Sequence, residues 1–153
     1  MKEITDIIKE EGDYHEWRDW SDSMTCFIQR NQLGAWCGYV IIPSSLPINY
    51  ETTDYSRLNC HGGITYQSFN DNGDLIVGFD CSHAGDYVPK LKDFYEGESF
   101  SKLSIIYRET DVYRTKQYVI DEVNSLVEQI LNIKEIKRHL RINNIINNDN
   151  QDK

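Results

Sequence analysis

Two hydrophobic periods divide this chain, and their order constrains its fold more than any other feature. Four runs in the first half are rich in β-branched and aromatic residues, as strands are: 24–29, 35–43, 63–69 and 75–82. After about Val112 the apolar residues recur at helical spacing: Val119, Val123, Leu126, Val127 and Ile130. Strands followed by the main helix favour an α+β domain, because a parallel α/β sheet would alternate the two. We therefore predict an antiparallel sheet of four to five strands packed on a long C-terminal helix.

The segments around these runs complete the prediction. Residues 70–73 end in Asn-Gly, the strongest short turn signal, and predict a hairpin between 63–69 and 75–82. Isoleucines at helical spacing predict a short N-terminal helix that ends at Gly12. Residues 13–23 carry Trp17 and Trp20 three positions apart, which indicates a second helical turn or an ordered loop. At 153 residues the chain fits one domain, 1–142, followed by a polar, disordered tail over 143–153.

Charge excludes one class of function. The formal net charge is -9 and the isoelectric point is near 4.8, which argues against general nucleic-acid binding because phosphate contacts rely on Lys and Arg. Four cations nevertheless fall close together: Lys134, Lys137, Arg138 and Arg141. We interpret them as a solvated helix face with cations near the C-terminal end of the helix, and a basic contact surface is the alternative.

The four cysteines and the N-terminus bear on location. Cys26, Cys37, Cys60 and Cys81 are widely spaced, the start of the chain lacks the apolar run of a signal peptide, and no segment approaches a membrane span. We expect free thiols in a reducing cytoplasm. No cofactor, disulfide or stoichiometric metal is predicted, since the spacing of Cys60, His61, Cys81 and His83 matches no standard zinc knuckle.

The candidate site lies in two Gly-rich segments, 60–66 and 78–86. Together they hold two of the four histidines and two of the four cysteines. Both follow or precede a predicted strand, where turns can display functional side chains. Histidines and the N–H groups of a Gly-rich turn can bind phosphate or carboxylate, and tyrosines can stack on a planar ligand. The predicted ligand-binding residues are Tyr39, His61, Gly62, Gly63, Tyr66, Asp80, His83, Asp86 and Arg114.

Two other interpretations of these segments stay open. In the first, Cys81 is a catalytic nucleophile and His61 or His83 its base, oriented by Asp80 or Asp86. In the second, the segments form only a turn held by histidine and aspartate hydrogen bonds. A metal site built from the cysteines and histidines is a further alternative.

The combination of motifs resembles a family of small proteins from tailed-phage and prophage genomes. The resemblance runs from about Trp36 to Ile130. It rests on residues 37–43 (CGYVIIP), 61–66 (HGGITY) and 78–86 (GFDCSHAGD), and on positions at the start of the long helix: Tyr113, Arg114, Tyr118, Val119, Glu122, Leu126 and Gln129. Cys60 lies outside the pattern.

The resemblance implies a phage-encoded accessory protein in the host cytoplasm. Small acidic phage proteins often act on host immune enzymes and nucleotide signals, and by that analogy we expect a non-catalytic binder that counters host defence. Its partner would be a small nucleotide-like ligand or a host immune protein, and the aromatic content also leaves a homo-oligomer open. The alternative is a small Cys/His or metal-dependent hydrolase that acts on a nucleotide-like substrate.

Overall fold

The computed structural model describes residues 1–47, 54–91 and 110–151. Its described strands are β1 (Tyr14–Arg18), β2 (Thr25–Arg30), β3 (Trp36–Ile42), β4 (Tyr66–Phe69) and β5 (Leu75–Asp80). Its described helices are α1 (Ile4–Glu11), α2 (Lys116–Leu131) and α3 (Lys134–Gln151), with a short 3₁₀ turn at Tyr55–Arg57. Residues 103–107, a short apolar run whose sequence fits a strand or the start of a helix, lie outside the described residues.

The five strands form one antiparallel sheet in the order β1-β2-β3-β5-β4. The α+β class and the antiparallel sheet are therefore confirmed. The predicted hairpin between β4 and β5 is confirmed too, since Phe69 pairs with Leu75 across the Asn-Gly turn. The apolar strand β3 lies at the centre, paired with β2 on one side and β5 on the other.

Helix α2 packs on one face of the sheet with the predicted apolar stripe buried. The approach is close at Gly38, where an added Cβ would lie 2.6 Å from Cγ2 of Val123. The helix begins later than predicted because Thr115 caps it: the Thr115 hydroxyl accepts a hydrogen bond from the Tyr118 N–H. That face of β3, together with its neighbours on β2 and β5, forms the hydrophobic core.

Residues 13–23 contain strand β1 where a helical turn or ordered loop was expected, so that prediction was wrong. Trp17 pairs with Cys26 of β2, and its indole N–H donates to Oδ1 of Asn124 on α2. Trp20 lies beyond the strand and is exposed. β1 is an edge strand whose side chains alternate between exposed and half-buried. Most of these side chains are polar, so the sequence shows no alternation of apolar and polar residues that would predict a strand.

Helix α3 follows α2 after a break at Asn132–Ile133 and continues through Gln151. The cations of 134–141 therefore occupy the N-terminal half of a helix, which corrects the expectation that they lie near a C-terminal end. Ile136 is buried against the core, whereas every residue from Arg141 to Gln151 is exposed. Helical structure thus extends into the segment predicted as a polar tail.

None of the described helices is both long and apolar enough to cross a membrane.

Candidate functional site

The two Gly-rich segments meet beside the start of α2. β5 ends at Asp80, and the next residue, Cys81, donates its N–H to the carbonyl of Trp36 at 2.9 Å. The chain then turns, with the Asp86 N–H bound to the carbonyl of His83. Asp86 pairs in parallel with Val112, which brings the segment before α2 alongside the turn.

The carboxylate of Asp86 is the centre of the cluster. It is buried and accepts three hydrogen bonds: from Nε2 of His61 at 2.7 Å, from Nε of Arg114 at 2.8 Å and from the His83 N–H at 3.0 Å. Burial alone would raise the pKa of Asp86, but the hydrogen bonds from Arg114, His61 and the His83 N–H hold it below its usual range. Asp86 is therefore a carboxylate at neutral pH.

His61 is held at both ring nitrogens. Its Nδ1 lies 2.9 Å from the hydroxyl of Tyr118, and its Nε2 bonds Asp86. In the neutral imidazole one proton assignment satisfies both contacts: Tyr118 donates to Nδ1, and Nε2–H donates to Asp86. Burial raises the pKa of Tyr118, and Glu122 adds to the shift, so that its hydroxyl stays protonated and can donate.

A polar face of helix α2 forms hydrogen bonds with the backbone of the loop that carries His61. The His61 N–H donates to Oε2 of Glu122 at 2.7 Å. Gln129, two turns further on, accepts from the Asn59 N–H and donates to the Asn59 carbonyl, both at 2.8 Å. Tyr118, Glu122 and Gln129 thus all contact the one loop that holds residues 59–61.

Gly62 lies against the ring of His83. An added Cβ on Gly62 would be 2.1 Å from Nε2 of His83, and the φ of Gly62 is +67°. Under this glycine, Nε2 of His83 is buried and forms no hydrogen bond within the described residues. Oδ1 of Asp80 lies 3.6 Å from it.

Asp80 completes the cluster, and its carboxylate accepts from the Thr65 hydroxyl at 2.9 Å and the Ser82 N–H at 3.0 Å. The structure therefore brings together five of the predicted side chains: His61, Asp80, His83, Asp86 and Arg114. The cluster holds one guanidinium, that of Arg114, which pairs with Asp86, and two further carboxylates, those of Asp80 and Glu122. This excess of negative charge disfavours a phosphate at the cluster itself.

Tyr39 and Tyr66 lie elsewhere, on the sheet face opposite α2. Gly78, which pairs with both residues, has the ring of Tyr39 over it: an added Cβ would lie 2.4 Å from Cδ1. Tyr39 and Tyr66 were predicted to belong to one site with the histidines, and the structure corrects this by placing them on the other side of the sheet. The cause is strand alternation, because Tyr39 projects away from the helix that Gly38 contacts.

The tyrosines belong to a row of rings across this face. Centroid distances are 6.2 Å between Tyr14 and Phe27, 4.6 Å between Phe27 and Tyr39, and 5.5 Å between Tyr39 and Tyr66. Tyr14 and Tyr66 are exposed, and Phe27 and Tyr39 are half-buried. We call these four residues the aromatic row.

The thiols are poorly suited to nucleophilic chemistry. Burial raises the pKa of Cys81 far above its ordinary value, and it raises the pKa of Cys60 to about 11. All four cysteines are free. Within 1–47, 54–91 and 110–151, no group of three or more His, Cys, Asp or Glu side chains is placed to hold a metal ion.

A second polar network escaped the sequence analysis. Oε2 of Glu11 accepts from Nη2 of Arg30 at 3.2 Å, from the Trp36 indole at 3.1 Å and from the Tyr113 hydroxyl at 2.7 Å. Its Oε1 accepts from the Lys116 N–H at 2.8 Å, at the start of α2. This network ties α1 to β2, β3 and α2. No local pattern in the sequence signals it.

Comparison of the chain with protein-family models gave no match, and neither the curated proteins nor the solved structures contained one.

Proposed function

We propose that this chain is a non-catalytic binding protein that counters host defence by blocking a host immune protein in the host cytoplasm. The phage origin and the host setting rest on the motif resemblance in residues 36–130. The binding mode rests on the aromatic row, which is the single observation that carries the proposal.

Several physical features of the aromatic row support recognition of a protein surface. Its rings sit on paired strands, so their orientation is largely fixed before binding and little conformational entropy is lost. Tyrosine and phenylalanine in such settings supply large contact areas and are enriched at interfaces. Glu16, which accepts from the Tyr14 hydroxyl at 2.5 Å, places a carboxylate at one end of the row. A partner with an apolar patch and a basic rim would complement this face.

The protonation of the buried thiols supports a binding protein over a Cys-His hydrolase. A Cys-His hydrolase needs a thiolate, and burial keeps Cys81 protonated at neutral pH. The two ring nitrogens of His61 are engaged by Asp86 and Tyr118 rather than by a thiol. The hydrolase therefore stays the alternative.

Plaque formation on a host that carries an active defence system tests the proposal. Expression of the protein should restore plaques, and Tyr66→Ala should abolish this while leaving the melting temperature close to that of the wild type. Phe69→Ala is the matched control, since Phe69 is another exposed aromatic residue on the same strand but on its other face. Equal loss in both variants would contradict recognition through the aromatic row.

Sequestration of a nucleotide-derived signal is the second candidate. The observation that favours it is the group of cations on α3, which lies apart from the aromatic row. Incubation with a candidate nucleotide separates the possibilities: a sequestering protein releases the ligand intact on denaturation, whereas a hydrolase returns product at sub-stoichiometric protein.

A further inference from the structure

The N-terminal half of α3 carries a concentrated positive charge on an otherwise acidic chain. Lys134, Lys137, Arg138 and Arg141 follow one another at positions i, i+3, i+4 and i+7, so they share one face of the helix. All four are exposed, and among the residues that the structure describes none of them pairs with a carboxylate. Lys137 reaches only the neutral amide oxygen of Asn132, at 3.4 Å.

These side chains line a groove of about 520 Å³ together with Ile142. Every polar side chain in its lining is cationic. We call this surface the basic groove. Seven residues of helix rise separate its first and last cation, which is about 10 Å.

This arrangement destabilises the helix that carries it. Like charges three and four residues apart repel, and Lys134–Arg138 and Lys137–Arg141 are both such pairs. The helix dipole adds to the cost, because its positive end lies at the first turn, where Lys134 stands. Glu135 is the one acid in that turn and offsets a single charge. A bound anion would relieve both effects at once.

We infer that the basic groove binds a small molecule that carries two or more phosphate groups. Arginine forks and lysine ammonium groups together match phosphate oxygens, and the positive end of the helix dipole adds to the positive potential around Lys134. Ile142 supplies an apolar contact for the part of the ligand without charge.

The length of the groove selects a small ligand over a nucleic acid. The cations end at Arg141, and a polymer that extended past them would meet a chain whose net charge is -9. Phosphate contacts outside the groove would then be repulsive. The inference bears on the signal-sequestering candidate and is independent of the protein partner proposed for the aromatic row.

Calorimetric titration with inorganic tripolyphosphate at low ionic strength tests the groove. The wild type should bind one equivalent, and the Lys137→Gln/Arg138→Gln variant should bind at least about tenfold more weakly, since charged contacts are lost. Lys9→Gln/Arg57→Gln is the matched control: it removes two exposed cations outside the groove and changes the net charge equally. No binding by the wild type, or equal weakening in both variants, would overturn the inference.

Thermal melts with and without tripolyphosphate supply a second readout. Removal of the repulsion should give Lys137→Gln/Arg138→Gln a higher melting temperature than the wild type, and tripolyphosphate should raise the wild-type value much more than that of the variant. A lower melting temperature for the anion-free variant would refute the argument from repulsion. Tighter binding of a single-stranded oligonucleotide than of tripolyphosphate would overturn the choice of a small ligand. Neither the titration nor the melts involve a host protein. A negative result for the basic groove therefore leaves the proposed blocking function standing.

Discussion

Gly62 lies so close to His83 that a single methyl group on it would overlap the imidazole ring, 2.1 Å from Nε2 and 2.2 Å from Cδ2. The first glycine of the HGG motif, Gly62, is therefore required for two reasons: its positive φ and the lack of space for a Cβ beside His83. Gly63, at φ +81°, has no atom within 4 Å of an added Cβ. The two neighbouring glycines share a positive φ, and only Gly62 has a side chain against its Cβ position, so we use them as a matched pair.

Gly62→Ala should destabilise the protein more than Gly63→Ala. Both changes place alanine at positive φ, which costs about 1 kcal/mol or more. Gly62→Ala must in addition displace the ring of His83. Chemical denaturation measures both free energies of unfolding, and the Gly62→Ala/His83→Ala double variant should recover part of the extra loss. Equal losses in the two single variants would show that the contact with His83 carries no energy.

Asp86→Asn should lower stability at neutral pH by on the order of 3 kcal/mol, because it removes a buried charge from its partners. It should also flatten the acid limb of the stability profile. The pKa of Asp86 lies below its unfolded value, so its contribution is complete above about pH 4 and is lost as the pH falls through the folded value. Denaturation between neutral and acid pH checks both effects, and a variant that kept the wild-type acid limb would contradict the assignment.

The sequence predicted the elements whose patterns are local. The strands β2, β3 and β5 and the stripe of α2 follow from hydrophobic period, and the β4–β5 hairpin follows from Asn-Gly. The meeting of His61, Asp80, His83 and Asp86 was predictable too, because both Gly-rich segments flank strands that pair. Arg114 joins them because the segment before α2 lies alongside the turn at Asp86. Strand β1 was not, since an edge strand with polar residues has little apolar alternation, and Trp17 and Trp20 suggested a helical spacing.

The sequence did not predict contacts between residues that are far apart in the chain and belong to no motif. Glu11, Arg30 and Tyr113 are far apart along the chain and are brought together only by the tertiary arrangement of α1, the sheet and the segment before α2. The separation of Tyr39 and Tyr66 from the histidines is a related case, because the face of a strand residue depends on register and on which face the helix covers. The position of the α3 cations relative to the helix ends depended on the length of α3.

Glu11→Gln should cost about 2 kcal/mol or more in stability. The side chain of Glu11 is 14% exposed and that of Arg30 6%, and an amide cannot keep all four donors satisfied. Glu10→Gln is the control: its salt bridge with Lys2 is exposed and should contribute at most about 0.5 kcal/mol. Thermal or urea unfolding measures the stability of both variants. Similar small losses of stability in the two would refute a central role for Glu11.

Thiol titration should find four free cysteines and no stoichiometric zinc. In the folded protein at mildly alkaline pH we expect slow modification, because burial raises the pKa of Cys26 to about 12 and that of Cys60 to about 11. All four should react quickly in denaturant. One zinc per chain, lost together with activity in Cys81→Ser, would instead promote the metal-dependent hydrolase.

Removal of residues 143–153 should leave the domain folded, with a melting temperature within a few degrees of the full chain. The described residues of that segment, 143–151, are all exposed, so their removal uncovers little apolar surface. Truncation after Asn132 is the contrasting variant: it also removes Ile136, which is fully buried, and should cost about 2 kcal/mol or more. The shorter cut keeps Lys134 to Arg141 and should keep tripolyphosphate binding, whereas the longer cut should abolish it. A large loss of stability on removal of 143–153 would show that the domain does not end at residue 142.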